Sequence, residues 1–336
     1  MPTVLVENRE VQLTHLERVL WPEAGLTKAH LIEYYRRVAP YLLPHLSGRR
    51  VTVTRFPGGV DRPGFYQKHL PGYAPPWIRR YRIPSQETER GYIDYPAVED
   101  LPTLIWLANQ AVVEFHPSLD RVDRPGFPDF AVFDLDPNPP ATLADARDVA
   151  LRVRDLLGHL GLAGYPKVSG ASGIHVYVPL ERVHDFYETS EFVAYLGELL
   201  VAHRPDQVTN ERLVSRRGAR VYVDHLQNRP EKTITAVFSA RPLPGAPLSL
   251  PVTWSELEAG QPLHFTLSDV DEATRRAPLF APVLAGGQRL DAVAGVLAAR
   301  RRDRPRTPSP AASPRPQSYP EREHEPRIAP AEMNTV

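Results

Sequence analysis

The stretch from Phe130 to Leu226 constrains this chain more than any other, because its hydrophobic period switches between two and 3.6 in a fixed order. "DFAVFDLDP" reads as a strand, and "TLADARDVALRVRDLLGHLG" as a helix with Val149, Val153, Leu156 and Leu160 on its apolar stripe, closed by Gly161. "GYPKVS" and "GIHVYVPL" read as two strands joined by "GAS", "SEFVAYLGELLVAH" as a second helix and "ARVYVDHL" as a last strand. The order βαββαβ, connected by right-handed crossovers, predicts a split, ferredoxin-like sheet with strand order 4-1-3-2. Strands one and four are then neighbours. Asp224 on the last strand lies beside Asp134 and Asp136 on the first, and His175 on strand three flanks them.

Side chains at i and i+2 of a strand share a face at a spacing of roughly 6.6 Å. Two carboxylates at that spacing repel by about 2.5 kcal/mol at an effective dielectric near 20. Asp224 adds to the repulsion unless a cation neutralises it, and hard divalent ions prefer oxygen ligands, which makes Mg²⁺ or Mn²⁺ the expected occupant. Two such ions about 3.5–4 Å apart form the clamp used in phosphoryl and nucleotidyl transfer. Taken alone, Asp134 and Asp136 are equally consistent with a strand end whose last carboxylate caps a turn at Pro137. The loop "SGASG", Ser169 to Gly173, joins strands two and three at the same end of the sheet; its backbone N–H groups and the Ser169 and Ser172 hydroxyls suit an anion, although a flexible hairpin loop has the same composition. His175 is read either as a core histidine or as a site residue, and His116 in "VEFHPSL" either as a helix-closing histidine or as a site residue. Arg241 in "FSARP", after a strand "ITAVFSA", presents a guanidinium suited to phosphate or to a surface ion pair.

The rest of the chain narrows the classes of function. Its 336 residues carry 40 basic and 40 acidic groups and no cysteine, so disulfides, thiolate zinc and cysteine nucleophiles are excluded together. No apolar run approaches the roughly 18 residues of a membrane helix, and "MPTVLVENREVQ" lacks the regions of a secretory signal, so a cytoplasmic, nucleoid-associated protein is expected. The clusters "SGRRVTVTRF", "WIRRYR" and "SRRGAR" suggest a phosphate-binding surface despite the balanced charge. In the N-terminal third, "TKAHLIEYYRRVAPYLL" reads as a helix capped by Thr27, "RRVTVTRF" as a strand and "LPTLIWLANQAVVEF" as a second, largely buried helix. From about Arg301 the chain turns rich in Pro, Ser, Arg and Glu and is expected to be a disordered tail, residues 301–336.

Together "RFPGGVDRPGFYQKHLP", "FAVFDLDP", "SGASGIHVYVPL", "VYVDHLQN" and "FSARP" resemble the polymerase domain of bacterial ligase D, a member of the archaeo-eukaryotic primase superfamily that serves non-homologous end joining. The resemblance runs from about Val11 to Ala299 with the motifs in family order. It implies an α+β primase-polymerase fold over residues 1–300: an N-terminal α/β, DNA-contacting module of about 1–125 packed on a βαββαβ catalytic module of about 126–300. By the same resemblance, Asp134, Asp136 and Asp224 hold two Mn²⁺ or Mg²⁺ ions, and His116, Ser169, Ser172, His175 and Arg241 serve the incoming nucleotide. Phe65 and Tyr66 match the paired aromatics that stack on the template, Arg18 and Lys28 the pair that reads a downstream 5′-phosphate, and Arg55 and Lys68 flank them on the DNA side.

Three positions depart from the family pattern. Arg18 stands for a lysine, Ser172 for the lysine of the loop, and Gln227 for an arginine shortly after the third aspartate. Two positive charges near the triphosphate are thus missing, which implies weaker nucleotide affinity or altered selectivity, with the metal ligands intact. The function implied is template-directed nucleotidyl transfer that fills gaps at DNA ends, with the family's ribonucleotide preference. The substrates are NTP or dNTP and 5′-phosphorylated ends, and the partners are Ku and a separate ATP-dependent ligase, since no K-x-D-G motif is present. The protein is expected to be a monomer with no membrane partner. Two other classes stand beside this one: an end-binding or synapsis module with weak catalysis, and a metal-dependent phosphoesterase.

Overall fold

The computed structural model describes residues 2–302. Two short ribbons open the chain, β1 (Thr3–Val6) with β2 (Arg9–Gln12) and β3 (Val19–Trp21) with β4 (Leu26–Thr27). They lead into α1 (Lys28–Leu46), whose first turn is fixed by the Thr27 N–H donating to His30 Nδ1 at 3.0 Å. Strands β5 (Val51–Arg55), β6 (Phe65–Gln67) and β9 (Val112–Pro117) form an antiparallel sheet in the order β6-β5-β9. Between its strands lie the hairpin β7 (Arg80–Pro84) with β8 (Tyr92–Pro96) and helix α2 (Leu101–Asn109).

Sequence periodicity extends α2 through Phe115, and the structure corrects this. The helix stops at Asn109, Ala111 takes a left-handed backbone (φ 58°), and the β-branched pair Val112–Val113 begins β9. His116 is therefore a strand residue rather than the close of a helix.

The second half follows the expected order closely. Strand β10 (Phe130–Pro137), helix α3 (Leu143–His159), strands β11 (Tyr165–Val168) and β12 (Ile174–Pro179), helix α4 (Phe186–His203) and strand β14 (Val221–Val223) give a sheet ordered β11-β12-β10-β14, antiparallel throughout. This is the 4-1-3-2 arrangement. A short β13 (Val208–Thr209) adds a parallel strand outside β14, and α5 (Val214–Arg217) fills the connection between them; neither was expected. "ARVYVDHL" yields only a three-residue strand, because Asp224 turns the chain into a 3-10 helix over His225–Gln227. "ITAVFSA" forms no strand, only isolated bridges at Thr233 and Ala240 with a left-handed Phe238 between them. The short helices α6 (Trp254–Glu258), α7 (Val270–Arg275) and α8 (Pro282–Ala285) then lead to α9 (Ala294–Arg302). Helix α9 includes Arg301 and Arg302, and the tail expected beyond them lies outside the described residues.

Strand β10 separates two hydrophobic cores by its alternation. Ala131, Phe133 and Leu135 face a core with α3 and α4, including Val149, Val153, Phe192 and Leu196. Phe130 and Val132 face the other core, built from α1, α2, β5, β9 and the Ile234–Leu250 segment. Each fully buried Phe or Leu on this strand stabilises by about 1.5–3 kcal/mol, so the register of β10 is strongly specified. Asp134 and Asp136 share the Phe130 and Val132 face. Among the described residues no helix is long and apolar enough to cross a membrane.

Candidate active site

The sheet places a polar row where the apolar face of β10 ends. Asp134 pairs in register with His175 on β12, and His175 with Lys167 on β11, so the three side chains share one sheet face. Asp134 Oδ1 stands 3.2 Å from His175 Nε2 without hydrogen-bonding geometry, and Asp134 Oδ2 accepts from the Gln227 amide at 3.3 Å. On the other side the Asp224 N–H donates to the Asp134 carbonyl at 2.9 Å. One Asp224 oxygen accepts from the Leu226 N–H at 2.9 Å and from the Tyr222 hydroxyl at 3.1 Å.

Packing three carboxylates together at the centre of the sheet has an electrostatic cost. Burial pushes Asp134 above the ordinary carboxylate range, against the Gln227 hydrogen bond and the positive charges of Lys167, Arg241 and Arg217. Burial, then Asp134, then Asp224 push Asp136 up to about 7. Burial and Asp134 likewise raise Asp224. Opposite them, burial together with Lys167 and Arg241 keeps His175 neutral, well below the usual imidazole range. Lys167, entirely buried, donates to Ser249 Oγ at 2.5 Å and is lowered chiefly by burial. A buried, partnerless Asp134 oxygen beside two carboxylates that oppose each other's ionisation is a donor set suited to a hard cation. As the side chains stand, no three of them among the described residues close around a common point as a finished metal cage.

The "SGASG" loop is closer to these carboxylates than its sequence alone reveals. A Cβ on Gly173 would meet the Leu135 carbonyl at 2.6 Å and Asp136 Oδ1 at 3.2 Å, and one on Gly170 would meet Arg241 Cγ at 2.7 Å, so glycine is what lets the loop lie against both. Ser169 also has a local role. Its buried hydroxyl accepts from the Ala171 and Gly173 N–H groups, both at 3.1 Å, and so shapes its own loop, while Ser172 is exposed.

Arg241 is not a free guanidinium either. Its Nε–H donates to Glu114 at 2.7 Å and its Nη1–H to the Ser169 carbonyl at 2.6 Å. Glu114, buried on β9, also has Oε2 3.3 Å from His116 Nε2, and His116 lies 3.3 Å from Thr54 Oγ1 and under the Tyr66 ring at 5.6 Å between centroids. Burial alone would raise the Glu114 carboxyl, but His116 and Arg241 outweigh it and hold it low.

The DNA-side residues divide by exposure. Phe65 and Tyr66 are 47% and 67% exposed, which rules out a core role, and as neighbours on β6 they point to opposite faces. Phe65 lies beneath Arg55, whose guanidinium also donates to the Gln110 carbonyl, Gln67 and Tyr73, so Arg55 is braced within the fold. Lys68 pairs with Glu87 at 2.7 Å. Arg18 is exposed, with Nη1 on the Pro57 carbonyl at 2.6 Å. Lys28 is buried, donating to Thr14 Oγ1 at 3.1 Å and the Asn109 carbonyl at 3.0 Å; burial, then the nearby Arg18 charge, lowers it to about 8. Of the arginine clusters, "SGRRV" is partly structural: Arg49 is buried against Asp129 at 2.6 Å and over the Phe130 ring.

Sequence reading missed Glu114, Lys167 and Arg217 as members of this site. Glu114 and Lys167 carried a signal, each being one period-two step or one register step from a histidine already singled out.

Comparison with known proteins decides the family. A family model described as the LigD primase-polymerase domain matches residues 27–279. The chain belongs to the LigD primase-polymerase family. Among curated relatives, the multifunctional non-homologous end joining DNA repair protein LigD of Mycobacterium tuberculosis is 35% identical over 90% of this chain and 40% of its own length. The bifunctional non-homologous end joining protein LigD of Bacillus subtilis is 32% identical over 80% of this chain and 43% of its own length. The chain thus spans about two-fifths of the curated LigD proteins it matches. The solved polymerase domain of Mycobacterium tuberculosis ligase D in complex with DNA superposes with a TM-score of 0.77 at 33% identity, covering 83% of this chain and 99% of that one. That match supports the mixed α+β, primase-polymerase fold expected of a LigD polymerase domain.

Proposed function

We propose that this LigD-family chain is a template-directed nucleotidyltransferase that fills short gaps at DNA double-strand breaks during non-homologous end joining, using ribonucleotides by preference. The observation that carries this reading is the convergence of Asp134, Asp136 and Asp224 where the central strands β10 and β14 meet, with the glycine loop packed against Asp136. Asp134, Asp136 and Asp224 would hold two Mn²⁺ or Mg²⁺ ions, which supply Lewis-acid activation and charge neutralisation for an in-line displacement at the α-phosphate. The chain's own groups position the rest. Arg241 and the Ser169 loop face the triphosphate, His175 stays neutral as a hydrogen-bonding partner, and Tyr66 offers an exposed ring to a template base. Arg18 and Lys28 bring two cations together for a downstream 5′-phosphate. We read residues of about 1–125 as the DNA-contacting module and about 126–300 as the catalytic one, acting as a monomer with Ku and an ATP-dependent DNA ligase activity.

Extension of a gapped, 5′-phosphorylated duplex with NTP or dNTP and Mn²⁺ tests the reading. Incorporation is expected, with NTP favoured, and Asp134→Ala should reduce it by more than about 100-fold, the scale of losing charge stabilisation in a transition state. An Asp134→Ala variant as active as wild type would overturn the site assignment. A second reading, an end-binding module with weak catalysis, is favoured by Gln227, an amide placed on Asp134. It predicts tight binding to 5′-phosphorylated ends that survives Asp224→Ala, with no incorporation by wild type.

A further inference from the structure

We infer that Glu114 is a positioning residue for the incoming triphosphate: its buried carboxylate sets the orientation of Arg241, and through it the "SGASG" loop, while tying both to the template-side sheet. This rests on the nucleotidyl-transfer reading and goes beyond it by assigning a role to a residue outside the metal and phosphate motifs.

Register and distance carry the inference. In the β6-β5-β9 sheet, Tyr66 pairs with Thr54 and Thr54 with Glu114, so the three side chains form one cross-strand row that ends at a carboxylate only 5% exposed. That row is the template-side counterpart of the Asp134, His175 and Lys167 row on the other sheet. Arg241 bridges the two. Its guanidinium donates to Glu114 on one side and to the backbone of the phosphate loop on the other, at 2.7 and 2.6 Å. Gly170 lies against the Arg241 stem closely enough that even a Cβ would collide with it. Arg241 is therefore clamped at its head by Glu114 and Ser169 and at its stem by Gly170. A planar guanidinium fixed on two sides retains one orientation for a third partner, which is what recognition of a phosphate oxygen requires. The second Glu114 oxygen, near His116 beneath the exposed Tyr66 ring, gives the same carboxylate a hold on the template side.

A carboxylate that only stabilised the fold would affect thermal stability; one that positions Arg241 affects nucleotide affinity. Gap filling by the full chain is measured as kcat and as KM for NTP, alongside thermal unfolding and the affinity for a labelled 5′-phosphorylated gapped duplex. Glu114→Gln should raise KM for NTP about tenfold, the scale of one lost charge-assisted hydrogen bond, and change duplex affinity less than about twofold. Glu114→Asp should recover part of that loss. Arg241→Lys, which keeps the charge but not the forked geometry, should raise KM similarly, so the inference stays testable if Glu114→Gln folds poorly. In an Arg241→Ala background Glu114→Gln should have no further effect on KM. Unchanged KM in a folded Glu114→Gln, unchanged KM in Arg241→Lys, or additive effects in the double variant would overturn the inference alone. A wild type that incorporates no nucleotide would overturn the underlying reading instead.

Discussion

Asp136 is the residue whose chemistry most directly reports on the state of the site. Its carboxyl is raised to about 7 by burial and by Asp134 and Asp224, against about 3.9 in an unfolded chain. A carboxyl raised in the fold contributes stability that is fully present below the unfolded value and is lost as pH climbs through the folded one. Without divalent ions, thermal unfolding should therefore show stability falling by roughly 4 kcal/mol between pH 4 and pH 8. Asp136→Asn should flatten that slope. Saturating Mn²⁺ should also flatten it, adding about 2.7 kcal/mol at a hundred times its dissociation constant. A slope unaltered by both Mn²⁺ and Asp136→Asn would show that the Asp136 carboxyl is not raised in the fold. The roles of Arg241 and Ser169 were the least legible at this scale. The Glu114 partner that occupies Arg241 is 127 positions away, and the two N–H groups that occupy the Ser169 hydroxyl exist only once the loop has closed.

Elements were legible where periodicity and chain punctuation agreed. Helix α3 shows this at both ends: Asp145 accepts from the Thr142 N–H at 2.7 Å at its start, and Gly161 takes a left-handed conformation just beyond its end. At Gly161, with φ of 69° and open space around it, replacement by alanine should cost about 1 kcal/mol from backbone strain alone. Gly158, inside the helix and equally open, should gain about 0.5–1 kcal/mol on the same change. Opposite shifts of the melting temperature, each about 2 °C, are the expected signature. Helix α2 was over-extended because "LANQAVVEF" keeps an apolar stripe across its break; the left-handed Ala111 that ends the helix carries no glycine or proline to announce it. The "ITAVFSA" segment fails as a strand for a tertiary reason. Its Ala236 and Phe238 N–H groups find the Phe115 and Ser249 carbonyls, two different partners that do not form a continuous ladder.

At the scale of the whole molecule, a formal charge of zero conceals a division between exposed aromatics with cations and buried carboxylates. On the proposed reading, binding to a gapped duplex should weaken with salt on a log–log slope set by the few cations assigned to phosphate, the exposed Arg18 among them. Arg18→Ala should lose about tenfold in affinity for a 5′-phosphorylated gap but little for its 5′-hydroxyl counterpart, and Tyr66→Ala should weaken both about equally, by one stacked base. Equal losses for Arg18→Ala on both ends would remove the phosphate-reading role. The order 4-1-3-2 was readable because right-handed crossovers leave few choices, whereas the attachment of the Ile234–Leu250 segment to the α1, α2 and β9 core depends on contacts across more than a hundred residues.

The division of β10 between two cores also governs which changes of chain length this molecule tolerates. Phe133 and Leu135 point one way and Asp134 and Asp136 the other, so a single inserted or deleted residue between Phe130 and Asp136 would turn the acids into one core and the apolar groups into the site. The connection from Asn138 to Thr142, outside the strand, carries no such parity. Diverging copies of this chain should therefore vary freely in length just after the acids and never within the strand that bears them.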